Sequence, residues 1–343
     1  MAKRKMQYGV GVRTQYPAGF DMRVGLAEHL EQARVADRLG FDSLMRGQHF
    51  AGWPLQEIQQ VPFLARVSAE APNLRLATGI VLLPLHKPLD VAEQMAALDL
   101  LTNGKLIFGV GLGYRDVEYM GFGTSQKDRV PRFVENLEAI KRLWTEDHVN
   151  MKGSHFELVD VTLSLKPLQK PTPPIWIGAN VDSAIERAAQ MGDAWFINPH
   201  QKMETIGRQL DVYKRALDKV KKPFPTEFPL CREIFVAKDR ETAIKQAQPY
   251  LAEKYRVYHM WGQDKAMPAG DNDLAMAYDE LKEDRFLLGS PDEIAEELIQ
   301  YNRRFGVNHM ILSFHWVGMP NSLAIEGMTR FMEEVAPRVE QGL

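Results

Sequence analysis

Short apolar segments alternate along the chain with longer segments in which apolar residues recur every three or four positions. Segments such as YGVGV (8–12) and KLIFGVGLG (105–113) predict buried β-strands. Within residues 23–40, Leu26, Leu30 and Ala33 repeat at helical spacing, which is typical of a helix with one buried face, and Gly40 is a suitable end for it. The pattern therefore indicates strands and amphipathic helices in alternation.

The same alternation continues to the end of the chain. The predicted strands cover residues 8–12, 43–46, 74–84, 105–113, 174–179, 193–199, 230–237 and 309–315. The predicted helices cover residues 23–40, 58–71, 89–101, 132–144, 183–191, 203–220, 241–258, 291–305 and 323–335. Eight strands separated by helices predict an α/β fold, a (β/α)8 TIM barrel; an open doubly wound sheet is the alternative.

No linker-like change of composition divides the chain, so we expect one barrel domain over residues 1–343. Two insertions are expected in it. The segment near 149–171 contains VNMKGSHFEL, which predicts a small hairpin that turns at Lys152 and Gly153. The segment near 261–287 shows no clear element and is a candidate lid.

Composition narrows the classes of function. The net charge of −3 provides no basic field for nucleic acid or anionic lipid, and no window is apolar enough to span a membrane. The amino-terminal segment lacks the apolar region of a signal peptide, so a cytoplasmic location is expected. Cys231 is the only cysteine, which excludes an internal disulfide and a thiolate metal cluster.

In a (β/α)8 barrel, the active site lies where the carboxyl ends of the strands meet the following loops. The polar and aromatic residues at these predicted ends are Arg13, Thr14, Gln15, Tyr16, Arg46, Gln48, His49, Phe50, Thr78, Tyr114, Asn180, Asn198, His200, His315 and Trp316. Histidines, arginines and aromatic residues on one rim suit a planar, anionic, aromatic ligand. A purely structural role for His49, as a hydrogen-bonding residue of the rim, is the alternative.

Three histidines at strand ends also raise the possibility of a metal. However, no His-x-His pair with a carboxylate occurs at these ends, and His-Glu-x-x-His is absent from the sequence. We therefore expect no metal site.

Two segments have the composition of ligand-binding turns. FGVGLGY (108–114) lacks the Gly-x-Gly-x-x-Gly spacing of a dinucleotide site, so its glycines serve either close strand packing or the approach of a flat ring. In IGANVDSAIERAAQMG (177–192), a helix begins near Ser183, and its free backbone N–H groups attract phosphate. Asp182 would oppose phosphate unless it points outward, and an ordinary capped helix is the alternative.

Together, three blocks resemble the bacterial luciferase-like family of flavin-dependent oxidoreductases. The blocks are RGQHFAGWP (46–54), residues 74–123 from LRLATGIVLLP to MGFG, and PPIWIGANVDSAIERAAQMGDAW (173–195). The resemblance covers nearly the whole chain. It implies a (β/α)8 barrel with an insertion, reduced FMN or the deazaflavin F420 bound at the carboxyl ends of the strands, and a homodimer.

The resemblance, together with the residues at the predicted strand ends, indicates roles for particular residues. Those expected to contact the cofactor are Gln48, Thr78, Gly79, Ile80, Gly111, Gly113, Tyr114, Ala179, Asn180, Val181 and Ser183. The Gly79–Ile80 peptide matches a position that is often cis in the family. His49 is expected to act on activated oxygen or substrate, and His315 and Arg13 to hold an anionic or carbonyl group of the substrate. Tyr16, Trp53 and Trp316 are the expected apolar walls.

The sequence departs from the family in two places. Gln48 precedes His49 where some members have two adjacent histidines, and Leu112 stands where the luciferases proper have a phosphate-binding arginine. Light emission is therefore not implied.

The leading hypothesis is a two-component monooxygenase, in which a separate NAD(P)H:flavin reductase supplies reduced FMN and O2 oxygenates a small organic substrate. The alternatives are an F420-dependent hydride-transfer enzyme and a flavin-binding protein without turnover. A long anionic F420 tail would favour extra cations, for which only Lys87, Arg115 and Lys127 are candidates.

Overall fold

The computed structural model describes residues 5–13 and 15–343, so the predicted rim residue Thr14 lies outside the described residues. The strands are β1 (Gln7–Val12), β2 (Gln15–Pro17), β3 (Ser43–Arg46), β4 (Leu55–Glu57), β5 (Arg75–Thr78), β6 (Val81–Leu82), β7 (Leu106–Gly111), β8 (Val149–Lys152), β9 (Glu157–Val161), β10 (Ile175–Gly178), β11 (Ala194–Phe196), β12 (Pro229–Val236), β13 (Phe286–Gly289) and β14 (His309–Ser313).

The helices follow the strands in the predicted order. They are α1 (Met22–Leu39), α2 (Gln60–Glu70), α3 (Pro88–Leu101), α4 (Asp116–Gly121), α5 (Arg129–Thr145), α6 (Asp182–Met191), α7 (Met203–Lys219), α8 (Arg240–Met260), α9 (Tyr278–Leu281), α10 (Pro291–Phe305), α11 (Asn321–Arg330) and α12 (Ala336–Gly342). Gly40 ends α1 with a φ of 78°, and Ser290 and Glu293 form a capping box at the start of α10.

A curled parallel sheet forms the centre of the fold, in the order β11-β10-β7-β5-β3-β1-β14-β12-β13. Its two sides meet beyond β11, where the backbone N–H of Ile197 donates to the carbonyl of Pro229 at 3.2 Å and that of Cys231 donates to Ile197 at 2.9 Å. These bonds join β11 to β12 and close the ring. The (β/α)8 barrel expected from the alternation is therefore confirmed, and the open sheet is not observed.

Two layers of apolar side chains hold the barrel together. Alternate strand residues point inward and form a small interior cluster, which includes Met45, Ile107, Trp176 and Ile311. The outward-facing residues pack against the helices in the large core between sheet and helices. The interior cluster leaves the carboxyl ends of the strands open for a cavity. No helix among the described residues has the length and apolar character needed to cross a membrane.

The structure adds β2, β4, α4 and α12 to the predicted elements, and it differs from the prediction in two further segments. The single strand expected over 74–84 is broken into β5 and β6, and the Gly79–Ile80 peptide between them is cis. In the insertion near 261–287, where no element was predicted, α9 and β13 form. β13 adds to the carboxyl-terminal half of β12. It was missed because its apolar run, FLL, is too short to be separated from loop by pattern.

The insertion near 149–171 contains the predicted hairpin. β8 and β9 pair in antiparallel fashion, and the N–H of Gly153 donates to the carbonyl of Phe156 across the turn.

Candidate active site

A cavity of about 250 Å³ opens at the carboxyl ends of the barrel strands. The predicted site residues that line it are Arg13, Gln48, His49, Gly79, Ile80, Gly113, Tyr114, Ala179, Asn180 and Val181. They come from several different strand ends, and the barrel topology brings them together as expected.

His49 lies on the cavity wall, directly after β3. Its Nδ1 lies 3.0 Å from Oε1 of Glu118, a carboxylate that is fully buried. Its Nε2 makes no hydrogen bond with residues 5–13 or 15–343, and the imidazole lies beside the rings of Tyr114 and Trp261. The carboxylate fixes one ring nitrogen and leaves the other free for a ligand.

Glu118 was missed by the sequence analysis. It lies on the short helix α4, and its Oε1 also accepts hydrogen bonds from the N–H of Phe50 at 3.0 Å and from Arg115 at 3.3 Å. Arg115 donates further to the carbonyls of Phe50 and Ala51, and its guanidinium lies 4.3 Å from the centre of the Trp261 ring. The sequence did contain a pattern that could have indicated Glu118. Arg115 and Glu118 are oppositely charged residues three positions apart, just after the fourth barrel strand.

The side chain of Ile80, next to the Gly79–Ile80 cis peptide, lies across the floor of the cavity. A Cβ on Gly111 would lie 1.9 Å from Cδ1 of Ile80, and one on Gly178 would lie 3.4 Å from its Cγ2. The glycine of β7 at position 111 therefore serves close packing, which was one of its two predicted roles, and does not line the cavity itself. Gly113, with a φ of 80°, does line it.

The start of α6 forms another wall of the cavity. The side-chain N–H of Asn180 donates to the carbonyl of Ala266 at 3.0 Å, which ties this wall to the 261–287 insertion. Two basic residues that the sequence analysis did not single out, Arg129 and Lys265, also line the cavity. Asp182 pairs outward with Arg208 at 2.8 Å, so its charge is directed away from the cavity.

Several predicted residues lie elsewhere. Ser183 does not line the cavity, and Thr78 is buried, bridging β5 and β7 through both N–H and carbonyl of Gly109. His315 is also outside the cavity, because its Nε2 donates to the carbonyl of Met319 at 2.9 Å.

The three aromatic residues expected to form the apolar walls of the cavity do not line it. Tyr16 donates to Glu28 at 2.6 Å, Trp316 donates to Glu233 at 2.5 Å, and Trp53 is 75% exposed. The larger apolar side chains that do line the cavity include Met45, Ile80, Leu82, Leu112, Phe196 and Ile311. Side-chain direction at a strand end depends on contacts from distant segments, which the local pattern does not contain.

Behind the cavity lies a buried group of charged residues. Glu233 bonds to the ammonium of Lys254 and lies 3.6 Å from Arg13. Burial lowers the pKa of Lys254 to about 8, although Glu233 favours its charge. Burial, together with the positive charges of Lys254 and Arg13, also holds the pKa of His200 well below its ordinary value, so His200 is neutral at pH 7. Among the described residues, no three metal-ligating side chains are grouped to hold a metal ion.

Comparison with known proteins identifies relatives of this chain. Residues 6–309 match the family model of luciferase-like monooxygenases. The chain is 27% identical to the oxygenase component of a flavin-dependent trigonelline monooxygenase from Acinetobacter baylyi, over 90% of this chain and 89% of the relative. It is 26% identical to an F420-dependent glucose-6-phosphate dehydrogenase from Amycolatopsis mediterranei, over 92% and 95%.

A solved structure shows the same fold. The monooxygenase RslO1 from Streptomyces bottropensis superposes with a TM-score of 0.82 at 26% identity, over 97% of this chain and 99% of the other. This chain therefore belongs to the luciferase-like monooxygenase family of flavin-dependent oxidoreductases.

Proposed function

We propose that this protein is the oxygenase component of a two-component monooxygenase that uses reduced FMN and O2 to oxygenate a small organic substrate. The observation that carries the proposal is His49, whose Nδ1 is fixed by buried Glu118 while its Nε2 is free, among the described residues, beside the cavity. A flavin-storing protein would need ring and phosphate contacts but not an oriented histidine. A separate flavin reductase is part of the proposal, as the name of the Acinetobacter relative suggests.

The residues present fit a flavin. Ile80 and the close backbone at Gly113 and Gly178 offer a floor against which a flat ring can lie. The hydroxyl of Tyr114 is buried in the cavity wall and has no hydrogen-bond partner in the described part of the chain, so it is available to a polar ligand atom.

A phosphate would be held at the other wall. The backbone N–H groups of Asp182 and Ser183, the first two of α6, have no hydrogen-bond partner within the helix, and Arg129 and Lys265 add positive charge to the cavity lining. Asn180 and Val181 precede this helix, so they are the predicted residues that we place at the phosphate.

When bound, the reduced flavin supplies the electrons that activate O2. The chain contributes orientation and protection. Nε2 of His49 is placed to donate or accept a proton at the reacting atoms, and Glu118 keeps its ring in that orientation. Trp261 and Tyr258 lie over His49 at the edge of the 261–287 insertion and exclude water from it.

An F420-dependent activity is the second candidate, supported by the Amycolatopsis relative. The three basic residues that could bind the long anionic tail of F420 are not positioned to do so. The ammonium of Lys87 bonds to the carbonyl of His155, Arg115 is buried against Glu118, and Lys127 is exposed outside the cavity. FMN therefore suits the lining better.

The test is an anaerobic fluorescence titration of the purified protein with reduced FMN and, separately, with F420. We expect the protein to bind reduced FMN. When O2 is admitted, we expect a substrate to be oxidised faster than the flavin is oxidised in the absence of substrate. His49→Ala should retain FMN binding and lose turnover, whereas the matched variant His148→Ala, at a side chain 76% exposed on the hairpin, should change neither. Tight F420 binding without FMN binding would refute the proposal. Homodimer formation, which the family resemblance implies, is measured in the same samples by light scattering.

A further inference from the structure

Two arginine side chains, one buried and one partly buried, line the cavity close enough to repel each other, and the proposed flavin contacts use neither. Arg13 directly follows β1 and Arg46 ends β3, and these strands are neighbours in the barrel. Arg46 is only 2% exposed, whereas the Arg13 side chain is 18% exposed with its Nε buried. Charged side chains at such depth are normally matched by acceptors.

Arg13 is poorly matched within the described part of the chain. Its Nη2 lies 3.8 Å from the sulfur of Cys231, a weak acceptor, and 3.6 Å from Glu233, beyond hydrogen-bonding distance. Its Nε is buried and has no partner among the described residues. Glu233 is already bonded to Lys254 and Trp316, so it neutralises charge without accepting from Arg13.

Arg46 is matched in part. One nitrogen donates to Glu57 at 3.1 Å and to the carbonyl of Ile58 at 2.8 Å, but its Nε also has no partner among residues 5–13 and 15–343. Within the part of the chain that the structure describes, each arginine thus has a buried Nε–H without an acceptor, and an unsatisfied buried donor costs about 1–3 kcal/mol.

The charge around the two arginines is also unbalanced. Among the described residues, the ionic groups paired with them or with their partners are Arg13, Arg46 and Lys254, against Glu57 and Glu233. The other buried pairs, Arg115 with Glu118 and Arg285 with Asp271, are each neutral overall. Three cations and two carboxylates leave one positive charge. Arg232 lies outside this group, because its guanidinium packs against Tyr301 between β12 and α10. A single anionic group would restore neutrality.

We propose that the substrate is a small carboxylic acid whose carboxylate binds Arg13 and the Nε of Arg46. A carboxylate supplies the acceptors that a guanidinium fork prefers. Cys231 lies beside Arg13 and belongs to the same apolar cluster as Met45 and Ile311, which also line the cavity, so the rest of the molecule is an apolar, ring-sized body. The proposal deepens the proposed function by naming its substrate class, and rests on it for the reaction.

The phosphate of FMN is the other anion present in the proposed reaction, and it defines the competing assignment. If phosphate used Arg13, Arg13→Gln would weaken FMN more than riboflavin. We assign phosphate to the α6 wall, so Arg129→Gln should weaken FMN relative to riboflavin and Arg13→Gln should not.

The experiment measures binding to the flavin-free protein by calorimetry, so it does not depend on turnover. The probes are three acid and amide pairs: benzoate and benzamide, cyclohexanecarboxylate and its amide, and 3-phenylpropionate and its amide. We expect at least one acid to bind about tenfold or more tightly than its amide. Arg13→Gln should remove that preference, and Arg13→Lys, which keeps the charge without the fork, should retain part of it.

Arg66→Gln is the matched control, since Arg66 is exposed on α2 and pairs with Glu70. Thermal melting shows whether each variant is folded. If Arg13→Gln does not fold, Arg13→Lys is used in its place to test the preference for the acid. No preference for any acid, or a preference that persists without Arg13, would overturn the substrate class. If the protein bound an acid in preference to its amide but did not bind reduced FMN, the proposed function would be refuted and the proposed acid site would not.

Discussion

His49 and Glu118, which are 69 residues apart in the sequence, are joined by a 3.0 Å hydrogen bond between Nδ1 and Oε1. The same carboxylate oxygen accepts from the backbone of Phe50, so Glu118 holds both the histidine and the segment that carries it. Arg115 in turn connects this carboxylate to Trp261 at the start of the 261–287 insertion. The orientation of the candidate proton-transfer group thus depends on three segments.

Replacement of Glu118 by Gln should lower turnover while leaving flavin affinity intact. The amide is nearly the same size, but it neither carries the negative charge nor presents acceptors alone to Nδ1 of His49. We expect kcat to fall about 10- to 100-fold. Steady-state kinetics and FMN titration separate the two effects. Glu138→Gln, on the exposed face of α5, is the control and should be silent. An equal loss of flavin binding would show that Glu118 only supports the fold.

Gly109 should not tolerate a side chain. A Cβ there would lie 1.9 Å from the backbone carbonyl oxygen of Thr78, which cannot move without breaking the pairing of β5 and β7. Gly109→Ala should destabilise the protein by about 2–4 kcal/mol. A Cβ on Gly121, at the end of α4, would meet no atom of the described residues within 4 Å. Gly121→Ala should therefore be neutral or stabilising by up to about 1 kcal/mol. Urea unfolding compares them, and equal stabilities would contradict the packing argument.

Glu227 should stabilise the fold at neutral pH through its contacts at the other end of the barrel. It lies 2.7 Å from Nδ1 of His309 and also pairs with Arg75. Burial opposes ionisation, but His309 and Arg75 outweigh it and lower the pKa of Glu227 from 4.5 to about 2. The carboxylate therefore contributes stability above pH 4.5, and this contribution is lost as the pH falls towards 2.

Glu227→Gln should accordingly cost about 2–3 kcal/mol at pH 7, and less at about pH 4. Urea unfolding at the two pH values measures the difference, with Glu138→Gln as the control. A cost that is the same at both pH values would mean that the charge of Glu227 is not responsible.

Flavin binding should protect the 261–287 insertion from proteolysis. Lys265 is exposed yet lines the cavity, and Asn180 bonds to Ala266 beside it, so a ligand that contacts this wall should restrict the loop. We expect trypsin cleavage after Lys265 to slow by about threefold or more when FMN is bound. Cleavage after Lys152, whose side chain is 78% exposed on the hairpin, provides the reference rate. Equal slowing at both sites would indicate a general stabilisation only.

The sequence by itself determined the barrel and the edge at which its site lies. Helical and strand periodicities are local properties of the chain, and alternation of the two leaves few topologies, so β1, β3 and α6 begin and end close to their predicted positions. Residues directly after a strand, such as His49 and Asn180, were placed at the cavity for the same reason.

Only the tertiary structure decided which side chains meet there. Glu118 and Arg129 come from helices whose approach to the cavity depends on packing. His315 is buried outside the cavity lining, where it bonds to a carbonyl four residues later. That Nε of Arg13 and Nε of Arg46 have no acceptor among the described residues is likewise visible only in the folded structure. Hydrogen bonding and burial depend on contacts between segments that are distant in the sequence. The local periodicity of apolar residues contains no information about those contacts.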